Sequence, residues 1–253
     1  MDPNGTVRMG GATGSLGSYG SAGGQANIYV NSLALALPPA LRIDAVVNAA
    51  SVLDGPISAG ETIVVQGAGF GTDAQLLIGG AAVPAISVAS TSITATVPMS
   101  MALGGAVEVQ VQSGGGSSNK VLMPLAGASP GIFSQDGSGY GQAYVLNQDG
   151  TLNRPSDPTA PGNQITIFAT GVGPVSITQG NAATQFPVSV FFEGQAATNI
   201  AAAVGPVDGL PGNVYQITVT VPNPPTATPY NPYFNMQVDG VSSQNGIAIS
   251  ITQ

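Results

Sequence analysis

Side chains able to do chemistry are few in this sequence, and their scarcity is the first constraint on function. Histidine and cysteine are both absent from the 253 residues. Without them there is no Ser-His-Asp or Cys-His nucleophile system, no disulfide, and none of the commonest zinc or iron ligand sets. Acid chemistry rests on twelve Asp and Glu residues, and a pair of carboxylates could in principle cleave a glycosidic bond. Yet Asp136, Asp149, Asp208 and Asp239 each precede a glycine in an evident turn, where Asp stabilises the bend. No catalytic, cofactor-binding or metal-binding residue is assigned, no cofactor is expected, and the chain reads as a non-enzyme.

Three further patterns carry ligand-type residues. Asn147-Gln148-Asp149-Gly150-Thr151 looks superficially like a calcium loop. It lacks the clustered Asp-x-Asp-x-Asp spacing and the distant bidentate Glu, so a hairpin turn fits better. The glycine runs at 67–71 and 171–173 are followed by neither a helix nor a Lys, which sets aside a phosphate loop. The stretch Pro229-Tyr230-Asn231-Pro232-Tyr233-Phe234 offers Tyr230 and Tyr233 as aromatic contacts for a sugar or a partner. A rim loop packed on its own domain is the plainer reading of the same residues.

Charge narrows the partners. Only 6% of residues are charged and the net charge is −8. Arg8, Arg42, Lys120 and Arg154 are far apart, so the electrostatic footprint of nucleic-acid binding is missing. The negative balance argues equally against docking on an anionic membrane, and no apolar run approaches the roughly 18 residues a spanning helix needs. A surface so poor in ions favours association. With so few Lys and Arg, a trypsin-like protease finds little to cut, which suits an extracellular or cell-surface setting. No signal peptide is visible after Met1, so either it has been removed or the chain starts inside a longer protein.

The elements that must position these residues are strands. Thirty-six Gly and 20 Pro interrupt almost every window that might run three helical turns. Short alternating runs recur instead, at 62–65, 92–97, 107–111, 164–168, 188–192 and 215–221. An internal repeat organises them: Pro-Ile-Ser-Ala-Gly-Glu-Thr-Ile-Val-Val-Gln-Gly-Ala-Gly-Phe-Gly from Pro56 matches Pro-Thr-Ala-Pro-Gly-Asn-Gln-Ile-Thr-Ile-Phe-Ala-Thr-Gly-Val-Gly from Pro158. Thr94–Pro98 likewise matches Thr218–Pro222, and the second copy carries inserts around 174–187 and 199–213. The expected class is all-β, two tandem immunoglobulin-like β-sandwich domains with an N-terminal β-strand extension. The expected boundaries are 1–42 for the extension, 43–127 for the first sandwich and 128–253 for the second.

Residues 43–127 resemble an IPT/TIG-type immunoglobulin-like domain, whose hallmark stands here as Gly67-Ala68-Gly69-Phe70-Gly71. Over 43–253 the chain is similar to the uncharacterised Solibacter-type C-terminal module of secreted acidobacterial proteins. The pieces that carry this likeness are Val47-Asn48-Ala49-Ala50-Ser51, Ser129-Pro130-Gly131-Ile132-Phe133, Asn147–Asn153 and Ala169-Thr170-Gly171-Val172-Gly173. The resemblance implies a surface module and no catalysis.

Residues 10–24 have linker composition, but Ile28 to Leu37 reads as an extended strand seeking a sheet. Leu33, Leu35 and Leu37 share one side, with Ile28 and Val30 out of phase across a bulge or break near Asn31. That strand pairs either within its own chain or with a neighbouring subunit. The expected function is a self-assembling extracellular fibre or surface-layer subunit joined through Ile28, Val30, Leu33, Leu35 and Leu37, its partners copies of itself. The alternative is an adhesive or carbohydrate-binding module of a larger secreted protein, with a surface glycan met at Tyr230 and Tyr233.

Overall fold

The computed structural model describes residues 40–101, 103–178, 181–223 and 232–252, and among these there is no helix. The N-terminal strand expected at 28–37, with Ile28, Val30, Leu33, Leu35 and Leu37, lies outside the described residues. All six runs singled out by alternation fall in strands, except that Val97 and Val221 lie just past the ends of theirs.

The first sandwich pairs Arg42–Asn48, Thr62–Ala68, Ser92–Thr96 and Ala85–Ala89 in that order in one antiparallel sheet. The facing sheet runs Ile57–Ser58, Val121–Ala126, Ala106–Ser113, Gln75–Ile78 and Ala81–Val83, with Gly116–Ser117 beside Ala106–Ser113. Alternation sends Ile63, Val65, Ile93 and Ala95 of one sheet against Leu76, Ile78, Val109 and Val111 of the other, all buried. Each large aliphatic side chain so buried contributes about 1.5–3 kcal/mol. Gly69 adopts a φ of 75°, turning the chain so that Phe70 enters this core before the chain crosses to the other sheet.

The same order recurs downstream. One sheet runs Gly131–Ile132, Gln164–Thr170, Asn213–Thr220 and Thr198–Pro206, with Val145–Asn147 also on Gln164–Thr170. The other runs Gly141–Gln142, Ile247–Ala248, Tyr233–Val238, Val188–Phe192 and Gln195–Ala196. Even the pairings of Ile57–Ser58 with Val121–Ala126 and of Gly141–Gln142 with Ile247–Ala248 agree, both being parallel in otherwise antiparallel sheets. The inserts of the second copy are the hairpin Val175–Thr178 with Asn181–Thr184 and the longer edge strand Thr198–Pro206. The fold is an all-β immunoglobulin-like sandwich, repeated.

Where the two sandwiches meet, buried Ala50 clusters with Phe133, Phe168 and Val214, and a set of polar side chains ties the two together. Asn48 is buried at the end of its strand, and its Oδ1 accepts from the amides of Ala50 and Ser51 at 2.9 and 3.0 Å. Its Nδ2 donates to Glu61 Oε1 at 2.9 Å and across the junction to the Ser129 carbonyl at 3.0 Å. Glu61 Oε2 accepts from the Ser58 amide at 2.7 Å and from its hydroxyl at 3.3 Å. The Thr62 amide donates to Thr170 Oγ1 at 2.7 Å, and the buried Tyr215 hydroxyl donates to the Gly173 carbonyl at 2.8 Å beside Gly60. Gly171, at φ 75°, lies so close to the Ser129 carbonyl that any Cβ would overlap it. The segments 47–51, 129–133 and 169–173 therefore converge on one junction.

Burial pushes the Glu61 carboxyl from 4.5 up to about 8, against the hydrogen bonds from Ser58 and Asn48 that lower it. A carboxyl raised on folding is favoured in its neutral form. Its stabilisation is complete below the ordinary carboxylate range and is lost as pH rises towards about 8. Thermal melts should show stability falling from pH 5 to about pH 8 and then levelling off. Glu61→Leu should remove that slope while costing about 1–3 kcal/mol for the buried donors it orphans.

Candidate functional site

Tyr230 lies outside the described residues. Tyr233 begins the strand Tyr233–Val238, on which Phe234, Met236 and Val238 point into the core and Tyr233 and Asn235 point out. More than half of Tyr233 is exposed. Directly across the ladder Phe192 faces Phe234 and Phe191 faces Asn235. The inward pair stacks with ring centroids 5.1 Å apart, an arrangement that fixes the two strands to each other. The outward face therefore carries Phe191, Asn235 and Tyr233 in a set geometry.

A second exposed tyrosine joins them, one that sequence reasoning missed. Tyr140 follows a loop tied by its own side chains. Asp136 Oδ1 accepts from the Ser134 and Ser138 hydroxyls and the Ser138 amide at 2.7–3.0 Å, and Ser134 Oγ accepts from the Gly139 amide at 2.9 Å. Buried Gln244 exchanges hydrogen bonds with the Ile132 amide and carbonyl at 3.0 and 2.6 Å, anchoring the turn that presents Asn245. The Tyr140 ring lies close against Gly246, where a Cβ would overlap it. The only signal in the sequence is an aromatic among glycines and serines, which says nothing of its neighbours.

Together Tyr140, Phe191, Glu193, Tyr233, Asn235 and Asn245 line a groove of about 530 Å³. Glu193 stands on a tight turn with positive φ at both Glu193 (47°) and Gly194 (86°). The neighbouring Tyr140 phenol holds the Tyr233 phenol above its ordinary pKa. Asn235 Oδ1 is buried with no hydrogen-bond partner among the described residues, an acceptor left unsatisfied in the groove wall. Aromatic faces offer apolar area to a ligand, and the amides and carboxylate offer donors and acceptors around it. That combination suits a ligand with both apolar C–H faces and hydroxyl edges.

Four carboxylates elsewhere are engaged in local structure. Hydrogen bonds from Ser113, Ser138 and Thr151 and one from Arg154 hold Asp73, Asp136, Asp149 and Asp157 respectively below the usual range. Asp149 accepts from the Thr151 amide and hydroxyl at 3.0 and 2.7 Å, which is turn chemistry. In the same stretch Asn153 is fully buried. Its amide bridges Asn147 Oδ1 and the Ser250 carbonyl, both at 2.9 Å, so the motif ties the hairpin to the segment that follows Ile247–Ala248. Among the described residues no three carboxylates converge as a metal site would require.

With the geometry in hand, known proteins can be compared. An IPT/TIG domain is found at residues 45–123. The second sandwich repeats its strand order but lies outside that match. No curated protein matches the chain. Among solved structures, domains 5-6 of the S-layer protein SbsC are 13% identical, with 86% of this chain and 99% of that one covered at a TM-score of 0.33. The surface glycan-binding protein PbSGBP-B from Prevotella bryantii is 13% identical, with 83% and 42% covered at a TM-score of 0.28. A crystal structure with a xylogluco-oligosaccharide is 18% identical, with 86% and 41% covered at a TM-score of 0.29. The chain thus spans less than half of the last two, and likenesses this weak carry no argument about what it binds.

The tyrosine pairing is open to a direct check. In Tyr140→Phe, Tyr233 loses its partner, and its pKa should fall towards the ordinary phenol value in an NMR titration of its ring.

Proposed function

We propose that this chain is a non-catalytic extracellular module that binds glycan through the groove between Tyr140 and Tyr233. The observation that carries the reading is the exposed pair of tyrosines beside Phe191 on one sheet face, with Asn235, Asn245 and Glu193 around them. Exposed aromatics are costly to leave bare, and grooves with convergent polar groups are the usual sites of ligand binding. The absence of His and Cys removes most nucleophile chemistry, which supports binding without turnover. In this reading 43–127 and 128–253 are the two sandwich domains, and the likeness of 43–253 to the Solibacter-type module accounts for a surface setting. No helix among the described residues is long and apolar enough to cross a membrane.

Tyr140→Ala with Tyr233→Ala should abolish binding on a glycan array while leaving the melting temperature within a few degrees, since both side chains are exposed. Unchanged binding in that variant, or no binding by the native chain, would remove the reading.

A second reading has its own observation. Among the described residues Ala85–Ala89 pairs only with Ser92–Thr96, and all five of its residues are exposed, including Ile86 and Val88. Such an open edge accepts an added strand. Residues Ile28, Val30, Leu33, Leu35 and Leu37 of another copy would supply it, making the chain a fibre or surface-layer subunit. Deleting residues 1–39 should then convert assemblies seen by electron microscopy into monomers, and assembly that persists would exclude this route.

A further inference from the structure

The aromatic groove does not end at Asn245. A second cleft of about 310 Å³ opens on the other side of that residue, at the junction of the two sandwiches. Asn245 is exposed and lines both. The walls of the cleft come from the 48–55 loop of the first sandwich and the 241–245 turn of the second, chiefly Ser51, Leu53, Asp54 and Ser242. Leu53 and Val241 are 55% and 44% exposed, so apolar area is offered here as it is beside the tyrosines.

The loop that presents Leu53 and Asp54 is strained and braced. Val52 sits at φ 58°, a left-handed conformation that β-branched residues resist. The backbone is held there by the Val52 amide on the Asn48 carbonyl and the Asn48 amide on the Leu53 carbonyl, both at 2.9 Å. Asn48 Oδ1 adds its bonds to Ala50 and Ser51. Strain of this kind persists only where the surroundings over-determine it, and it clusters at ligand sites. The same Asn48 fastens the first sandwich to the Ser129 carbonyl of the second, and Gln244 holds the 241–245 wall through Ile132.

Charge decides the ligand's character. The two hollows hold the carboxylates of Glu193 and Asp54 and no Lys or Arg, on a chain of net charge −8. An anionic sugar would meet like charge throughout, whereas hydroxyl groups can donate to both carboxylates.

We propose that the two hollows are adjoining subsites for one neutral, extended glycan that lies across both sandwiches and passes over Asn245. This rests on the glycan-binding reading above and specifies its ligand class. A short oligomer occupies the tyrosine subsite alone; a longer one reaches Leu53 and Asp54, and linking the two contacts raises affinity without new chemistry.

The test is an array of neutral gluco-, xylo- and manno-oligosaccharides graded from disaccharide to hexasaccharide, beside a galacturonate ladder, probed with the full chain. In at least one neutral series, affinity should rise on the order of tenfold or more with length. Leu53→Asp should bind the hexasaccharide no more tightly than the native chain binds the disaccharide. Tyr140→Ala with Tyr233→Ala should lose every length. Affinity flat with length, Leu53→Asp keeping the full hexasaccharide affinity, or preference for galacturonate would each overturn the two-subsite proposal while leaving glycan binding intact. No binding in any series would overturn the glycan-binding reading itself, and this inference with it.

Discussion

The buried amide of Asn48 is the contact on which most of the described structure turns. It closes its own loop through Oδ1 and, through Nδ2, joins Glu61 of the first sandwich to Ser129 of the second. Removing either partner would leave a buried donor or acceptor unpaired, which costs about 1–3 kcal/mol, a large part of the margin by which a domain stays folded. The apolar cluster of Ala50 with Phe133, Phe168 and Val214 at the same junction adds burial but little direction. Hydrogen bonds of fixed geometry set one orientation. The glycines at 131 and 171 follow from that requirement, since a side chain at either would collide with Asn48 or with the Ser129 carbonyl.

The groove inherits its shape from this junction. The Gly139 backbone packs against Ser51, so the loop bearing Tyr140 rests on the segment that Asn48 holds in place. Gln244 links the Asn245 turn to Ile132, one residue beyond the glycine that packs on Asn48. Tyr140 and Asn245 are thus located by polar contacts, and Tyr233 and Phe191 by the ladder and the Phe192–Phe234 stack beneath them. Side chains held this way give a ligand surface that needs little ordering on binding, which lowers the cost of association.

Strands, turns and the internal repeat were legible in the sequence because each is a local pattern. Alternation marks a half-buried strand at Gln164–Thr170 without reference to any neighbour, and Asp-Gly and Asn-Gly pairs mark bends by their backbone freedom alone. The site was legible only through Tyr233. Tyr140, Phe191 and Asn245 are far from it in sequence and meet it because the sheet order brings Gly141–Gln142, Ile247–Ala248, Tyr233–Val238 and Val188–Phe192 side by side. That order follows from long-range pairing, on which a single sequence is silent. Glu61 is a second instance: nothing in Ala-Gly-Glu-Thr marks it as buried, and the packing of Asn48 and Ser58 around it is long-range or shaped by the turn. Asn48, Ser129 and Asn153 are likewise fasteners of the junction and of a hairpin, a role that only the fold discloses.

The central claim is that the two sandwiches form one body through the Asn48 junction, so that the cleft between them, next to the tyrosine groove, exists before any ligand arrives. Residual dipolar couplings measured on residues 43–127 and 128–253 of the weakly aligned chain test this most directly. A rigid junction gives both sandwiches one alignment tensor of the same magnitude and orientation, and Asn48→Ala makes the two tensors diverge. Separate tensors in the native chain would contradict the account, because sandwiches that reorient independently cannot share a preformed site.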